Sequence, residues 1–348
     1  MEASQPTKVT DWITFLGDKA RRGGQGPCAV REPARVRWQL RVARSIRSAP
    51  VLRKNTLYVT SLAGTLHAID ATAGRPKWVF QAADKIHSTP AVSGDLVLFG
   101  CDDGKLYAVN CDSGKKVWEI ATAAEVWTSP AIRNGIAYFG SADQRMYAVK
   151  AATGAAVWKV QLGGRIYSTA YVGEKQLYVG CGDGSVYSLD LSSGRVLWSI
   201  STGNGIDSSP ALEADKVLIG SEDFYLYALD ATTGAVHWKY ETGLGILSSP
   251  AVGDGIAVIG SKDGYLYALD IATGRLRWRA RAGEIVTAPP VFGQDAVCIQ
   301  AGGLSAFDAG TGKMLWRAGL GGAVQSVPVL TGEVIYIVSL DGEVYALE

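Results

Sequence analysis

The chain has 348 residues, with 34 Lys and Arg against 33 Asp and Glu, a formal net charge of +1. So balanced a charge speaks against a general nucleic-acid or membrane-surface role, because both draw on an excess of positive charge, and no apolar run approaches the ~20 residues of a membrane span. The five cysteines (Cys28, Cys101, Cys111, Cys181, Cys298) are odd in number, scattered and without a Cys-x-x-Cys pair, which excludes a disulfide framework and a zinc or haem site.

In chain order, residues 1–35 form a lead-in segment whose polar start, Met1 to Val9, predicts no signal peptide in the given chain. Residues 36–348 are predicted to form a single domain, because one period runs through them. Trp38, Trp78, Trp118, Trp158, Trp198, Trp238, Trp278 and Trp316 fall 40 residues apart six times and 38 once. A period of that length is the mark of a repeat architecture. Each unit reads as four short pieces of alternating apolar and small or polar residues bounded by Gly, Asp and Asn, which is a strand-and-turn pattern. In one unit the innermost strand is expected at Ser208 to Leu212, the second at Lys216 to Ser221, the third at Tyr225 to Asp230 and the outermost at Val236 to Tyr240. Hairpins such as Gly253-Asp254-Gly255 and Lys262-Asp263-Gly264 join them.

Four-stranded antiparallel blades set radially make an all-β propeller. The first Trp strand, around Arg37 to Val42, has no inner strands before it, and the chain stops at Val344 to Leu347 with no Trp strand after it. Joining the two predicts eight blades, with the N-terminal strand completing the C-terminal blade and protecting an edge that invites aggregation. The eight indoles are expected to lie on the backbone of a neighbouring repeat with the ring N–H on a carbonyl. Asp70, Asp190, Asp230, Asp270 and Asp308 should bond their own turns, with Gly supplying positive φ. Asp103, Asp143, Asp183, Asp223, Asp263 and Asp341 recur at one turn position and read as hairpin formers rather than metal ligands. Cys101 and Cys181, at the ends of second strands, read as small buried hydrophobes.

A position that varies among near-identical repeats is not fixed by packing. Between a shared Ile/Val and a shared Ser/Thr, the eight units place Arg47, His87, Trp127, Tyr167, Asp207, Leu247, Val286 and Gln325. Ile46, Ile86, Val126, Ile166, Ile206, Ile246, Ile285 and Val324 are their packing neighbours. This ring is expected at the mouth of the central channel, with His87, Trp127 and Tyr167 as an aromatic arc and Arg47 opposite Asp207. Trp127, the one repeat tryptophan outside the docking frame, is the candidate for stacking on a flat ligand or partner side chain. Arg41, Arg44, Lys85 and Arg165 add positive charge to the rim, partly balanced by Asp84, Glu125 and Glu284. The three histidines, His67, His87 and His237, assemble no Ser–His–Asp or Cys–His set with neighbours, so no catalytic residue and no metal site is expected.

The motif Leu-Tyr-Ala-Leu-Asp-x-x-Thr-Gly-x-x-x-Trp, as in Leu226 to Trp238 and Leu266 to Trp278, resembles the pyrroloquinoline-quinone (PQQ) type propeller repeat with its tryptophan-docking motif. Asp11 to Asp18 is similar to the lead-in before such propellers in exported bacterial proteins. The family holds both quinoprotein dehydrogenases and non-enzymatic scaffolds. The dehydrogenases carry a disulfide between adjacent cysteines and calcium ligands; this chain has no adjacent cysteines and short loops throughout. Its simplicity resembles more the outer-membrane assembly lipoprotein, although Cys28, in Gly26-Pro27-Cys28, has no apolar run before it. The resemblance implies a monomeric, periplasmic or otherwise exported binding module without a cofactor, recognising a partner protein or a small planar anionic ligand. The alternative it implies is a quinoprotein with PQQ and calcium near Trp127, paired with Arg47 or Lys85.

Overall fold

The chain's blades follow from how each repeat disposes of its backbone hydrogen bonds and its apolar residues. The computed structural model describes Phe15, Glu32, Pro33 and residues 35–293, 295–319 and 326–348. The segment Asp11 to Asp18 apart from Phe15, Cys28, Val324 and Gln325 lie outside the described residues. Within the described residues there is no helix, and hence none long and apolar enough to cross a membrane. Thirty-two strands form eight four-stranded antiparallel sheets. Blades 1 to 7 take their strands in sequence order and span 51–81, 91–121, 131–161, 171–201, 211–241, 251–281 and 291–318. In blade 8, Val329–Leu330, Ile335–Val338 and Glu343–Leu347 are completed by Val36–Arg41, which pairs antiparallel with Glu343–Leu347. The two ends of the chain thus zip one sheet and close the ring.

The second and third strands of each blade are almost wholly buried, as in Leu57, Val59, Leu66 and Ile69, all 0% exposed. Outermost strands alternate exposed and half-buried residues, since one face packs on the next blade and the other meets water. Each indole docks forward onto the following blade. Trp78 Nε1 donates to the Cys111 carbonyl at 2.9 Å and Trp238 Nε1 to the Ile271 carbonyl at 2.9 Å; Trp38, Trp118, Trp158, Trp198 and Trp278 do likewise, and Trp316 is buried. Trp38, in blade 8, reaches the Ala71 carbonyl of blade 1 across the closure.

The turn glycine under each of the seven rings from Trp38 to Trp278 is required twice over. Gly274 has φ +69°, and a Cβ there would lie 2.6 Å from Cδ2 of Trp238. Ahead of it, the Asp270 carboxylate accepts the Thr273 N–H at 2.9 Å; Asn110 substitutes for this Asp in blade 2 through its own Oδ1. The other aspartate series does more than shape its hairpins. Asp263, for instance, accepts the Tyr265 N–H at 3.0 Å, the Tyr267 hydroxyl at 2.6 Å and the Gly243 N–H at 2.9 Å, tying turn, strand and incoming loop together. Cys101 and Cys181 are fully buried, and burial pushes each thiol up to about 12, so they pack as apolar groups.

The innermost strand is shorter than the repeat predicts. In blade 5 it is Ala211–Glu213, and Ser208-Ser209-Pro210 precede it as a bend. Proline has no N–H for a ladder, and the Ser/Thr residues there bond around the ring instead. The N–H of Thr89, Thr169 and Ser209 each donate to the hydroxyl one repeat on, at Ser129, Ser209 and Ser249, at 3.0, 2.9 and 2.9 Å. Ser326 Oγ carries the belt over the closure to the Ser48 carbonyl at 2.9 Å.

Candidate binding face at the channel mouth

The loop from each outermost strand to the next innermost strand fixes its apolar residue first. Val126 donates its N–H to the Cys101 carbonyl at 3.0 Å and packs so tightly on Gly100 that a Cβ there would lie 2.4 Å from Cγ1 of Val126. Ile166 sits on Gly140, Ile206 on Gly180 and Ile246 on Gly220 in the same way. With that residue anchored on one side and the Ser/Thr belt on the other, the residue between them is turned into the mouth. Arg47, His87, Trp127, Tyr167, Asp207 and Leu247 all occupy this place, and all are exposed or half-buried.

Blade 7 corrects the predicted register. Val286, not Ile285, is the anchored residue: it is fully buried, its N–H donates to the Ser261 carbonyl at 3.1 Å and it packs on Gly260. Ile285 is 53% exposed, and the ring position belongs to Thr287. Arg41 is likewise not at the mouth; it ends the outermost strand of blade 8, 4.0 Å from Glu343. Arg44, Lys85 and Arg165 are exposed on the incoming loops.

His87, Trp127 and Tyr167 make one continuous stack. Ring centroids are 4.5 Å apart for His87 and Trp127 at 27°, and 4.7 Å for Trp127 and Tyr167 at 26°. Both faces of the indole are therefore covered, and what Trp127 offers to a partner is its edge, 37% exposed. The free faces are the outer ones of His87, on the side of Arg47, and of Tyr167, on the side of Asp207.

A second varying ring lies beside the first, and the sequence reading passed over it. Residues 62, 102, 142, 182, 222 and 262 each donate a backbone N–H to the incoming loop, as Asp102 does to Lys85 at 2.9 Å and Glu222 to Gly205 at 3.1 Å. They are Leu62, Asp102, Ala142, Gly182, Glu222 and Lys262. Asp102 places Oδ2 3.5 Å from His87 Nε2, and its buried Oδ1 has no hydrogen-bond partner. Burial pushes the Asp102 carboxyl up, against the opposing influence of His87 and the Trp127 indole. Burial also pushes the His87 imidazole down, and although Asp102 opposes this, Arg47 and Lys85 add to it. Both partners are thus driven toward their neutral forms. Across the channel Asp207 is pushed up by burial and by Glu222, with Lys262 opposing. Lys262 Nζ holds both Glu222 oxygens, at 2.8 and 2.7 Å. The mouth is two-sided: a stacked aromatic arc under Arg47 and Lys85 on one side, an acidic group on the other.

None of this is arranged as a catalytic set. His67 hydrogen-bonds Thr65 inside blade 1, at 2.8 Å, and His237 lies on the outer edge of blade 5 near Asp230 and Asp215, at the opposite face of the ring. A calcium-bound quinone needs a free aromatic face and about six to eight oxygen ligands. Here the indole faces are taken, Glu222 is held by Lys262, and Asp102 is drawn to His87 and the Trp127 indole. The Trp127 face expected to carry such a cofactor is therefore covered.

Compared with the curated proteins, the sequence finds no match. Among solved structures it is similar to BamB from Moraxella catarrhalis, with 18% identity, a TM-score of 0.78 and coverage of 90% of this chain and 99% of that one. It is similar as well to the computationally designed protein Ika8, with 19% identity, a TM-score of 0.78 and coverage of 88% and 97%. The quinohemoprotein alcohol dehydrogenase of Comamonas testosteroni matches with 15% identity, a TM-score of 0.84 and coverage of 99% of this chain and 81% of that one. At such identities these likenesses concern the fold. The repeat-family profile described as outer membrane protein assembly factor BamB (PQQ_2) matches residues 19–132, 103–245 and 142–348, and the chain belongs to that family.

Proposed function

We propose that this protein is a non-enzymatic scaffold that holds a partner protein on the face around the channel mouth, in the exported, periplasmic setting that its family suggests. The observation that carries this reading is the His87–Trp127–Tyr167 stack. A stack with both indole faces covered is a rigid, edge-on surface, suited to a protein segment laid across it and unsuited to a flat ligand slid onto Trp127. Rigid aromatic anchors ringed by charge are the usual energetic centre of protein interfaces. Arg47, Lys85, Arg44 and Arg165 on the aromatic side favour an acidic flank on the partner, and Asp207 on the other side a basic one. Gln325 belongs to the same ring by its place in the repeat. The protein acts as a single closed ring, without PQQ, calcium or another cofactor.

The test is co-purification with tagged protein from the native periplasm, followed by reconstitution with the partner so found. Arg47→Glu combined with Lys85→Glu should weaken the reconstituted complex at least tenfold, mainly through the association rate and more so at low salt. The same variant should keep its melting temperature. Unchanged affinity would remove the mouth as the docking face.

A further inference from the structure

Blade 7 breaks the frame that its sisters keep. In blades 3, 5 and 6 the turn between the second and third strands carries Asp143, Asp223 and Asp263. Their Oδ2 atoms accept the backbone N–H of Ala123, Gly203 and Gly243 at 3.1, 2.7 and 2.9 Å. In blade 7 that turn is Ala301-Gly302-Gly303, closed by the pair Gln300 and Leu304 where blade 6 has Gly260 and Leu266. The turn is two residues shorter, and this deletion is the source of the one 38-residue interval between tryptophans. The aspartate is lost with it, and Ser305 stands where blade 6 has Tyr267. Gly283, the counterpart of Gly243, has its N–H directed instead to the Gly264 carbonyl at a long 3.3 Å.

At this place the surface forms a cleft of about 670 Å³, lined by Arg281, Glu284, Ile285, Gly302 and Arg317 among others. Arg317 lies over the shortened turn, Nη2 donating to the Ala301 carbonyl at 3.4 Å. Arg281 sits 5.8 Å from the centroid of the Tyr265 ring. Among the described residues neither guanidinium is ion-paired with a carboxylate. Three sister blades close this corner with a carboxylate of their own; blade 7 lacks it, and Arg281 of blade 6 and Arg317 of blade 7 stand there instead.

We propose that this cleft is a binding site for a carboxylate supplied by another molecule, the group that Asp143, Asp223 and Asp263 provide internally in their blades. Arginine suits it because the planar fork matches a carboxylate's two oxygens. The Gly283 N–H is the backbone donor that the sister geometry assigns to such a group. Glu284 on the same rim opposes it and sets a limit on affinity. The cleft has room for a residue-sized ligand rather than a bare anion, so the carboxylate arrives on an acidic peptide segment or on a small dicarboxylic acid. The cleft lies at the rim of the same face, on the blade 6–7 side, and the proposal does not rest on the scaffold reading.

The experiment titrates ¹⁵N-labelled full-length protein with disodium succinate in one arm and with an acetylated, amidated peptide holding two glutamates in the other, at low salt. The Gly283 amide should shift and saturate with at least one probe, and the arm with the tighter binding names the source. Arg281→Gln and Arg317→Gln should each weaken binding about tenfold, as loss of one charge-assisted bond does. Glu284→Gln should tighten it a few-fold, which guards against variants that merely damage the fold. Arg195→Gln, on an exposed turn at the other face, should leave the titration unchanged. A Gly283 amide that stays still with both probes, or arginine variants that bind as the parent does, would overturn the proposal.

Discussion

Replacing Gly274 by alanine isolates what the tryptophan-docking contact contributes, because Gly255 provides a matched control. Their φ angles are +69° and +74°, so an added Cβ meets the same backbone penalty at both, about 1 kcal/mol. Around Gly255 nothing lies within 4 Å of the new atom. At Gly274 it would stand 2.6, 2.7 and 2.9 Å from Cδ2, Cγ and Cε3 of Trp238, whereas carbons rest at about 3.5–4.0 Å. The indole must lift by roughly 1 Å, which draws its N–H away from the Ile271 carbonyl, now at 2.9 Å. Losing that bond costs about 1 kcal/mol, and the crowding another ~1 kcal/mol or more. Gly274→Ala should therefore lose about 3 kcal/mol and Gly255→Ala about 1 kcal/mol, read as urea midpoints by far-UV circular dichroism with the slopes compared to check two-state behaviour. Equal losses would refute the view that indole on glycine fastens blade to blade.

Three further outcomes are expected. His67 is buried, and burial lowers its imidazole from 6.5 to about 4. The unfolded chain then binds the proton first, so stability is full above pH 6.5 and falls by about 3 kcal/mol as pH drops to 4; His67→Phe should flatten this slope in urea midpoints measured from pH 7.5 to 4, and an unchanged slope would place the titrating group elsewhere. Trp127→Ala removes two ring contacts at about 0.5–1.5 kcal/mol each, so it should lower stability modestly in the same assay while abolishing partner capture, whereas a loss above about 4 kcal/mol would make the stack a structural element. Added PQQ with calcium should change neither visible absorbance nor melting temperature and should support no dye-linked alcohol oxidation; a saturable rise in melting temperature would revive the quinoprotein reading.

The fold was legible because its determinants recur. A glycine with positive φ, an Asx turn and an indole, repeated at a fixed interval, can satisfy their backbone and bury their rings only against a copy of themselves, so spacing alone implied a ring and its missing strands implied the closure. The innermost strand was read too long for a local reason. Ser208 and Ser209 look like strand residues by their alternation, yet Pro210 removes a ladder donor, and the Ser208 hydroxyl donates to the Ser248 carbonyl and the Ser209 N–H to the Ser249 hydroxyl, around the ring. Hydrogen bonds between repeats have no signature within one repeat.

The site was legible only where the period held. Comparing repeats found His87, Trp127 and Tyr167 because an anchored isoleucine or valine precedes each of them at an unbroken 40-residue interval. That interval cannot tell whether neighbouring rings meet a ligand or one another, since blade twist decides this, and the stack turned a presumed stacking platform into an edge. The same comparison applied one loop further would have found Asp102, Glu222 and Lys262, which occupy a position where other blades carry Leu62, Ala142 and Gly182. In blade 7 the method slipped by one residue, from Thr287 to Val286, for a physical cause. The 40-residue interval from Leu247 still gives Thr287, but Ile285 and Val286 both suit a packing position by type, and only the Ser261 carbonyl and the Gly260 notch choose between them. The break in the period, at 301–303, marks where blade 7 is freed from the constraint its sisters obey. Arg281 and Arg317 stand at that break, so the two-residue deletion is better understood as the opening of a site than as a defect in the ring.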